Sequence, residues 1–180
     1  MNVTAETLER AIIFAAEKHR GVKRKGDGRP YILHPLSVLH TLLAIKPNSK
    51  NAFLLAVVAV LHDTVEDCDV TIQEIAELFG YQVASLVEEL TSDKAEIERI
   101  GKTEYLKQKM IGMSSYALCI KLVDRLDNIK DMKSMTESFR IKQIASTTII
   151  LDALDLERKL TKTHRTIIKM IRKEMKRYAV

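Results

Sequence analysis

Apolar residues recur along most of the chain at helical spacing, and the stretch that departs from that rhythm is residues 54–67, LLAVVAVLHDTVED. Its first eight residues are apolar without interruption, so the segment has no polar face and is expected to be buried all round. It closes on His62, Asp63, Glu66 and Asp67, which the burial of the run carries out of water at a cost in free energy. In a continuous helix His62 and Glu66 are four apart, as are Asp63 and Asp67, so two acid-bearing rows lie on adjacent faces of one turn. Three carboxylates and an imidazole so close resist ionisation together, and a divalent cation resolves the conflict. The competing reading is a helix end with a satisfied histidine and solvated acids.

The remaining elements follow from periodicity and from caps. Thr4 caps a predicted helix running to about Arg20, with Leu8, Ile12, Ala15 and Ala16 on one face. The glycine-rich basic loop GVKRKGDGRP follows, with Arg24 and Lys25 at its centre, and leads into PYILHP, whose second proline suits a first helical turn and sets His34 just before it. Residues 35–45 read as a short helix and Asn51 as the cap of the buried run. Thr71 and Glu74 form a predicted capping box for a helix stopped by Gly80, and residues 82–90 make another. The segment TSDKAEIERIG at 91–101 is polar and poorly periodic, which suggests a mobile connection or a frayed helix. A helix over 102–112 and a serine cap at 114 or 115 come next.

The helix after that cap, YALCIKLVDRLDNIKDM, aligns Leu118, Leu122, Leu126 and Ile129 on one stripe, widened by Ile120 and Val123. Asp124 stands beside the stripe with Asn128 one turn on. A buried aspartate needs a partner, and a salt bridge to Arg125 or to a nearby lysine would serve. Taken with His34, His62 and Asp63, however, Asp124 completes two imidazoles and two carboxylates, a mixed donor set suited to manganese, iron or zinc. The last forty residues read as one long helix or two stacked ones, apolar through Ile141, Ile144, Thr148, Leu151, Leu154 and Leu160, and end in a basic amphipathic tail. No repeat, dinucleotide fingerprint, phosphate loop or sustained alternation is present, so the expected fold is all-α, a single compact bundle of about eight to ten helices.

Composition narrows the classes. The 180 residues, with 46% hydrophobic content, six glycines and three prolines, suffice for an ordinary compact core without disulfides. Cys68 and Cys119 have no knuckle or framework spacing, the N-terminus lacks a secretory core, and the run at 52–61 is too short to span a bilayer, so a reducing cytoplasm is the expected setting. The net charge of +5 is local: residues 18–29 contribute +5, residues 161–180 contribute +6, and the rest sum to −6. The tail lacks Trp and Phe, which favours a solvated packing helix over a membrane-surface or nucleic-acid element.

Four stretches, AAEKHRGVKRKGDGRPYILHP, VLHDTVEDCDVTIQEIAELFG, LVEELTSDK and KLVDRLDNIKDM, occur in an order and at separations that resemble the HD-domain metal-dependent phosphohydrolases, and within them the guanosine tetraphosphate hydrolases of the RelA/SpoT family. They span residues 15–132. The resemblance implies an HD-type hydrolase domain over residues 1–160, with 161–180 as a basic C-terminal helix packed on it or extending from it. It implies that His34, His62, Asp63 and Asp124 hold one manganese ion and that Glu66 and Asp67 orient and deprotonate the attacking water. Arg24 and Lys25 match positions that hold the guanine base and phosphates, and Asn128 matches a nucleotide-contacting asparagine.

The implied activity is that of a stand-alone small alarmone hydrolase, which removes the 3′-diphosphate of guanosine 3′,5′-bis(diphosphate) or its pentaphosphate analogue to leave GDP or GTP and pyrophosphate. The expected partner is this nucleotide, with neither nucleic acid nor membrane, and a homo-oligomer is compatible with the pattern. The sequence departs from the family at Val22, where glutamine is common, and at Asp127, where an aromatic residue or histidine is common. Two alternatives stand beside it: an HD-domain nucleotidase or NADPH 2′-phosphatase, and a non-catalytic nucleotide-binding module.

Overall fold

The computed structural model describes residues 3–47 and 49–178. Among them the fold is all-α, with nine helices of eight residues or more, two shorter ones, one 3-10 turn and no strand. The chain divides into two compact units, Met1–Thr91 and Ser92–Val180.

The first unit holds α1 (Ala5–Lys18), α2 (Leu33–Ile45), α3 (Ala52–Leu61), α4 (Thr64–Asp67), α5 (Ile72–Phe79) and α6 (Tyr81–Leu90). α3 is its axis: every residue from Leu54 to Leu61 is buried, and α1, α2 and α6 pack around it. Burying eight apolar side chains contributes on the order of 10 kcal/mol before the chain entropy is counted. α1 is capped at Thr4 as expected, but its inward face is Thr7, Ala11 and Ala15, while Ala16 is exposed. The face is rotated because small side chains let α1 approach α3 closely, an advantage that hydrophobicity alone does not register. His19, four residues beyond Ala15, continues this buried line.

The run at 54–67 is not one helix. α3 stops at Leu61, and α4 begins at Thr64. His62 and Asp63 keep near-helical dihedrals, yet two carbonyls at the end of α3 are taken by side chains: Ala59 O lies 2.7 Å from His62 Nδ1, and Thr64 Oγ1 donates to Leu61 O at 2.7 Å. The buried break is therefore satisfied rather than frayed. α5 starts at Thr71, whose hydroxyl accepts from the Glu74 amide, and ends at Gly80, whose φ of 94° only glycine adopts without strain. Gly80 also opens α6.

The second unit holds α7 (Lys94–Ile100), α8 (Lys102–Gly112), α9 (Ser115–Lys130), the 3-10 turn Asp131–Ser134, α10 (Glu137–Glu157) and α11 (Lys162–Met175). The polar segment after Thr91 forms α7, capped by Asp93 and with no buried residue. α9 is capped by Ser114 and buries Leu118, Ile120, Leu122, Val123, Leu126 and Ile129, the stripe that periodicity predicts. The last forty residues are two helices. In α10 the inward residues are Thr147, Ile150, Leu151 and Leu154, whereas Ile141 and Thr148 are exposed, so only the later part of the expected face is buried. α11 packs on α9 through Ile167, Ile168 and Ile171, which leaves its basic residues outward.

Candidate metal centre

In the first unit, α2 and the end of α3 bring His34, His62 and Asp63 together. Both histidines are buried to within 1% of full side-chain burial, and the Asp63 side chain is 14% exposed. His34 and His62 face each other edge-on with ring centroids 5.3 Å apart, and each offers a ring nitrogen within 4.8 Å of the other's. One carboxylate oxygen, Asp63 Oδ2, is the shared point. It lies 3.1 Å from His62 Nε2, 3.5 Å from His34 Nε2 and 2.6 Å from the Tyr31 hydroxyl, which donates to it.

The tautomer of His62 decides what this arrangement can do. Its Nδ1 meets the Ala59 carbonyl, which can only accept, so Nδ1 carries the hydrogen and in the neutral ring Nε2 presents a lone pair toward Asp63. A carboxylate oxygen and an imidazole lone pair at 3.1 Å repel each other unless a proton or a cation sits at that place. Fixing Nδ1–H on a backbone carbonyl is also how metal-ligating histidines are oriented. Two imidazoles and a carboxylate form a donor set that fits manganese, iron or zinc. The cluster could thus hold a metal ion.

Glu66 and Asp67 stand on α4, the turn that follows this cluster, with Glu66 half-buried and Asp67 exposed. The expected i to i+4 relation of Asp63 and Asp67 survives the helix break through the Asp67 amide, which donates to Asp63 O at 2.9 Å. Arg24 and Lys25 lie in the basic loop. That loop doubles back through a bridge between Lys23 and Pro30, with the Arg24 amide on Arg29 O at 2.8 Å and the Tyr31 amide on Val22 O at 2.9 Å. Asp27 pairs with Arg29 inside it. The fold of the loop thereby sets Tyr31 and His34 at its exit, while Lys25 is exposed and Arg24 half-buried.

In the second unit, Asp124 is buried on α9 and both its oxygens are engaged. Asn128 Nδ2 donates to Oδ1 at 2.6 Å and Lys121 Nζ lies 3.0 Å from Oδ2. The partner is therefore a lysine one turn earlier and not Arg125, whose guanidinium donates to the Thr147 hydroxyl at 3.0 Å. Burial lowers the pKa of Arg125.

Three residues near the first cluster are not among those that the sequence singles out for a site. Tyr31 holds Asp63, and its ring lies against His19 with centroids 4.7 Å apart. His19 Nδ1 is 3.0 Å from Cys68 Sγ, and Cys68 caps the C-terminus of α4. Burial, with Asp67 and Asp63 adding to it, pushes the Cys68 thiol up to about 11. Burial also holds His19 below 6.5, partly offset by Asp63 and reinforced by His62 and His34. At neutral pH the thiol hydrogen is accordingly the one shared, given by Sγ to the neutral imidazole. The clue in the sequence is the spacing of four that runs Thr7, Ala11, Ala15, His19.

Comparison with known proteins follows the same lines. Residues 11–151 match the model of the HD domain family. The human guanosine-3′,5′-bis(diphosphate) 3′-pyrophosphohydrolase MESH1 is 39% identical over 137 residues, covering 76% of this chain and 75% of that protein. The guanosine-3′,5′-bis(diphosphate) 3′-pyrophosphohydrolase of Aquifex aeolicus is 39% identical over 154 residues, covering 81% of this chain, which spans only 20% of that longer protein. A solved structure, described with the words "A metazoan ortholog of SpoT hydrolyzes ppGpp and plays a role in starvation responses", superposes with a TM-score of 0.78 at 26% identity, over 96% of this chain and 98% of that one.

Proposed function

Because the chain belongs to the HD domain family, we propose that it is a metal-dependent phosphohydrolase that removes the 3′-diphosphate of guanosine 3′,5′-bis(diphosphate), releasing pyrophosphate and GDP, or GTP from the pentaphosphate analogue. The observation that carries the reading is the oxygen of Asp63 faced by two buried imidazole nitrogens, an arrangement that a bound cation would satisfy. The names of relatives that share three quarters of their length with this chain direct the choice of substrate.

In this reading His34, His62 and Asp63 hold one divalent ion, Mn2+, with Asp124 as the fourth ligand. Such an ion supplies Lewis-acid polarisation of a phosphoryl oxygen and makes water more acidic. Glu66 and Asp67, carried on the next turn, orient the attacking water and take up its proton. Arg24 and Lys25 bind the guanine base and offset phosphate charge by charge-assisted hydrogen bonds. Asn128 contacts the nucleotide from its exposed place on α9, and its amide hydrogen bond also orients Asp124. Residues 1–160 then form the hydrolase domain and 161–180 a basic helix packed on it, acting in the cytoplasm on a small nucleotide. Among the described residues no helix is long and apolar enough to cross a membrane.

The test is product analysis. Purified protein with Mn2+ is expected to release pyrophosphate from the tetraphosphate, and Glu66→Ala to abolish the release while the fold persists. Metal-replete protein that leaves the tetraphosphate intact but frees phosphate from NADPH, or cleaves another nucleotide, would overturn the substrate; nucleotide binding without turnover would overturn the enzyme.

A further inference from the structure

Besides the two imidazoles, Asp63 has a neighbour that the proposed chemistry does not use. The Tyr31 hydroxyl donates to Asp63 Oδ2 at 2.6 Å. The Tyr31 ring is seated on the buried ring of His19 at 4.7 Å and 37° and meets His34 edge-on at 5.7 Å. His19 in turn is held by Cys68 at 3.0 Å, directly after the turn that bears Glu66 and Asp67. Tyr31 itself is delivered by the basic loop, through its amide bond to Val22 O.

From this continuous set of contacts we infer that Tyr31 is a positioning residue for the metal centre, with His19 and Cys68 as its support. The inference rests on the metal reading of the cluster. The Asp63 side chain can rotate about its own bonds, and a carboxylate with one oxygen pinned by a phenol presents the same oxygen to both imidazoles in every molecule. Without the phenol, the carboxylate can rotate away from the two Nε2 atoms and hydrate. Outer hydrogen bonds of this kind are worth roughly 10- to 100-fold in metal affinity. The His19 ring keeps the phenol from swinging into the basic loop, and the Cys68 thiol keeps the His19 ring from turning. The brace therefore ties the metal-facing carboxylate to the end of the acid turn.

Calorimetric titration of Mn2+ into metal-free wild type, Tyr31→Phe, His19→Phe and Asp63→Ala tests this, with thermal unfolding of each protein before metal is added. The expected result is loss of binding in Asp63→Ala, roughly 10- to 100-fold weaker binding in Tyr31→Phe, and a smaller loss in His19→Phe. Hydrolysis by Tyr31→Phe should return toward the wild-type rate at saturating Mn2+, with the nucleotide KM unchanged, which a merely structural role would not produce. Wild-type Mn2+ affinity in Tyr31→Phe overturns the inference, as does a raised nucleotide KM at unchanged metal affinity. Equal, weak binding in wild type and Asp63→Ala instead overturns the metal centre on which the inference depends.

Discussion

Asp63 in the first unit and Asp124 in the second are both aspartates held largely out of water, 14% and 9% exposed in their side chains, and they differ in the hydrogen-bond and ion-pair partners nearest their oxygens. One oxygen of Asp63 gathers a phenol and two imidazole nitrogens. The oxygens of Asp124 are divided between an amide and the ammonium of Lys121. A carboxylate beside its own lysine is neutralised by a fixed positive charge, whereas one beside two histidines gains a positive neighbour only by protonation or by a bound cation. The difference teaches that the two acids would meet a cation on unequal terms: Asp63 has no fixed ammonium among these neighbours, whereas Asp124 as fourth ligand would share its carboxylate with Lys121.

Alanine at each position attacks the comparison most directly. Asp63→Ala and Asp124→Ala are both expected to lower Mn2+-dependent hydrolysis at least about a thousandfold, since a ligand's share of the ion's stabilisation amounts to several kcal/mol. Parallel rate assays and Mn2+ titrations check it. Should Asp124→Ala keep its metal affinity and lose only stability, its ion pair with Lys121 is structural and the two aspartates have separate roles.

Lys121→Met sharpens the contrast from the other side. The substitution leaves Asp124 buried with the Asn128 amide and without its ammonium, and breaking a buried pair on one side costs about 3 kcal/mol. Denaturant unfolding of the metal-free protein should show that loss. Added Mn2+ should narrow the gap to wild type if Asp124 is a ligand, because the ion then supplies the missing charge, and should raise both proteins equally, leaving the gap unchanged, if it is not.

How much of this is legible in the sequence depends on how local the signal is. Thr4, Thr71, Ser114 and Gly80 act within three or four residues, and each begins or ends a helix where expected. The α9 stripe and the burial of α3 are likewise periodic properties of one segment. Periodicity misplaces the inward face of α1, because close packing favours small residues that a hydrophobicity pattern ranks low. The break after Leu61 leaves almost no trace in periodicity, since His62 and Asp63 stay near helical dihedrals while side chains take the carbonyls. Hardest to read are contacts over long separations: Tyr31 with Asp63 spans 32 residues and His19 with Cys68 spans 49.

The thiol beside the first cluster offers a milder test of how closed that region is. With its pKa pushed up from 9.0 to about 11, Cys68 carries roughly a hundredfold less thiolate at pH 8 than an open cysteine does. Since the thiolate is the reactive species, alkylation of native protein by iodoacetamide should be slower by about that factor, with Cys119, buried on α9, slow as well. Mass spectrometry resolves the two sites, and rapid labelling of Cys68 in native protein would mean that its contact with His19 is not kept in solution.

The smallest expected effect concerns His19 and pH. Burial is the largest cause of its lowered pKa, and in the unfolded chain the same ring titrates near 6.5. As pH falls below 6.5 the unfolded state takes up the proton first, so stability from this group is fully present above that value and is lost as pH falls toward the folded pKa. Protonation would also end the ability of Nδ1 to accept from Cys68, which couples the loss to the contacts that seat Tyr31. His19→Phe keeps a ring of similar size against Tyr31 and cannot take up a proton. Its unfolding free energy should therefore fall less steeply than that of the wild type between about pH 6.5 and 5, measured by urea unfolding of both proteins without metal. The second unit gives the control: His164, buried with Nε2 on the Ser115 carbonyl and Nδ1 at the cap of α11, lies outside this set of contacts, so the difference between the two curves reports on the first unit alone. Equal slopes would mean that His19 is protonated as readily in the folded protein as in the unfolded one, and the neutral imidazole of the Cys68 contact would have to be replaced by a charged one.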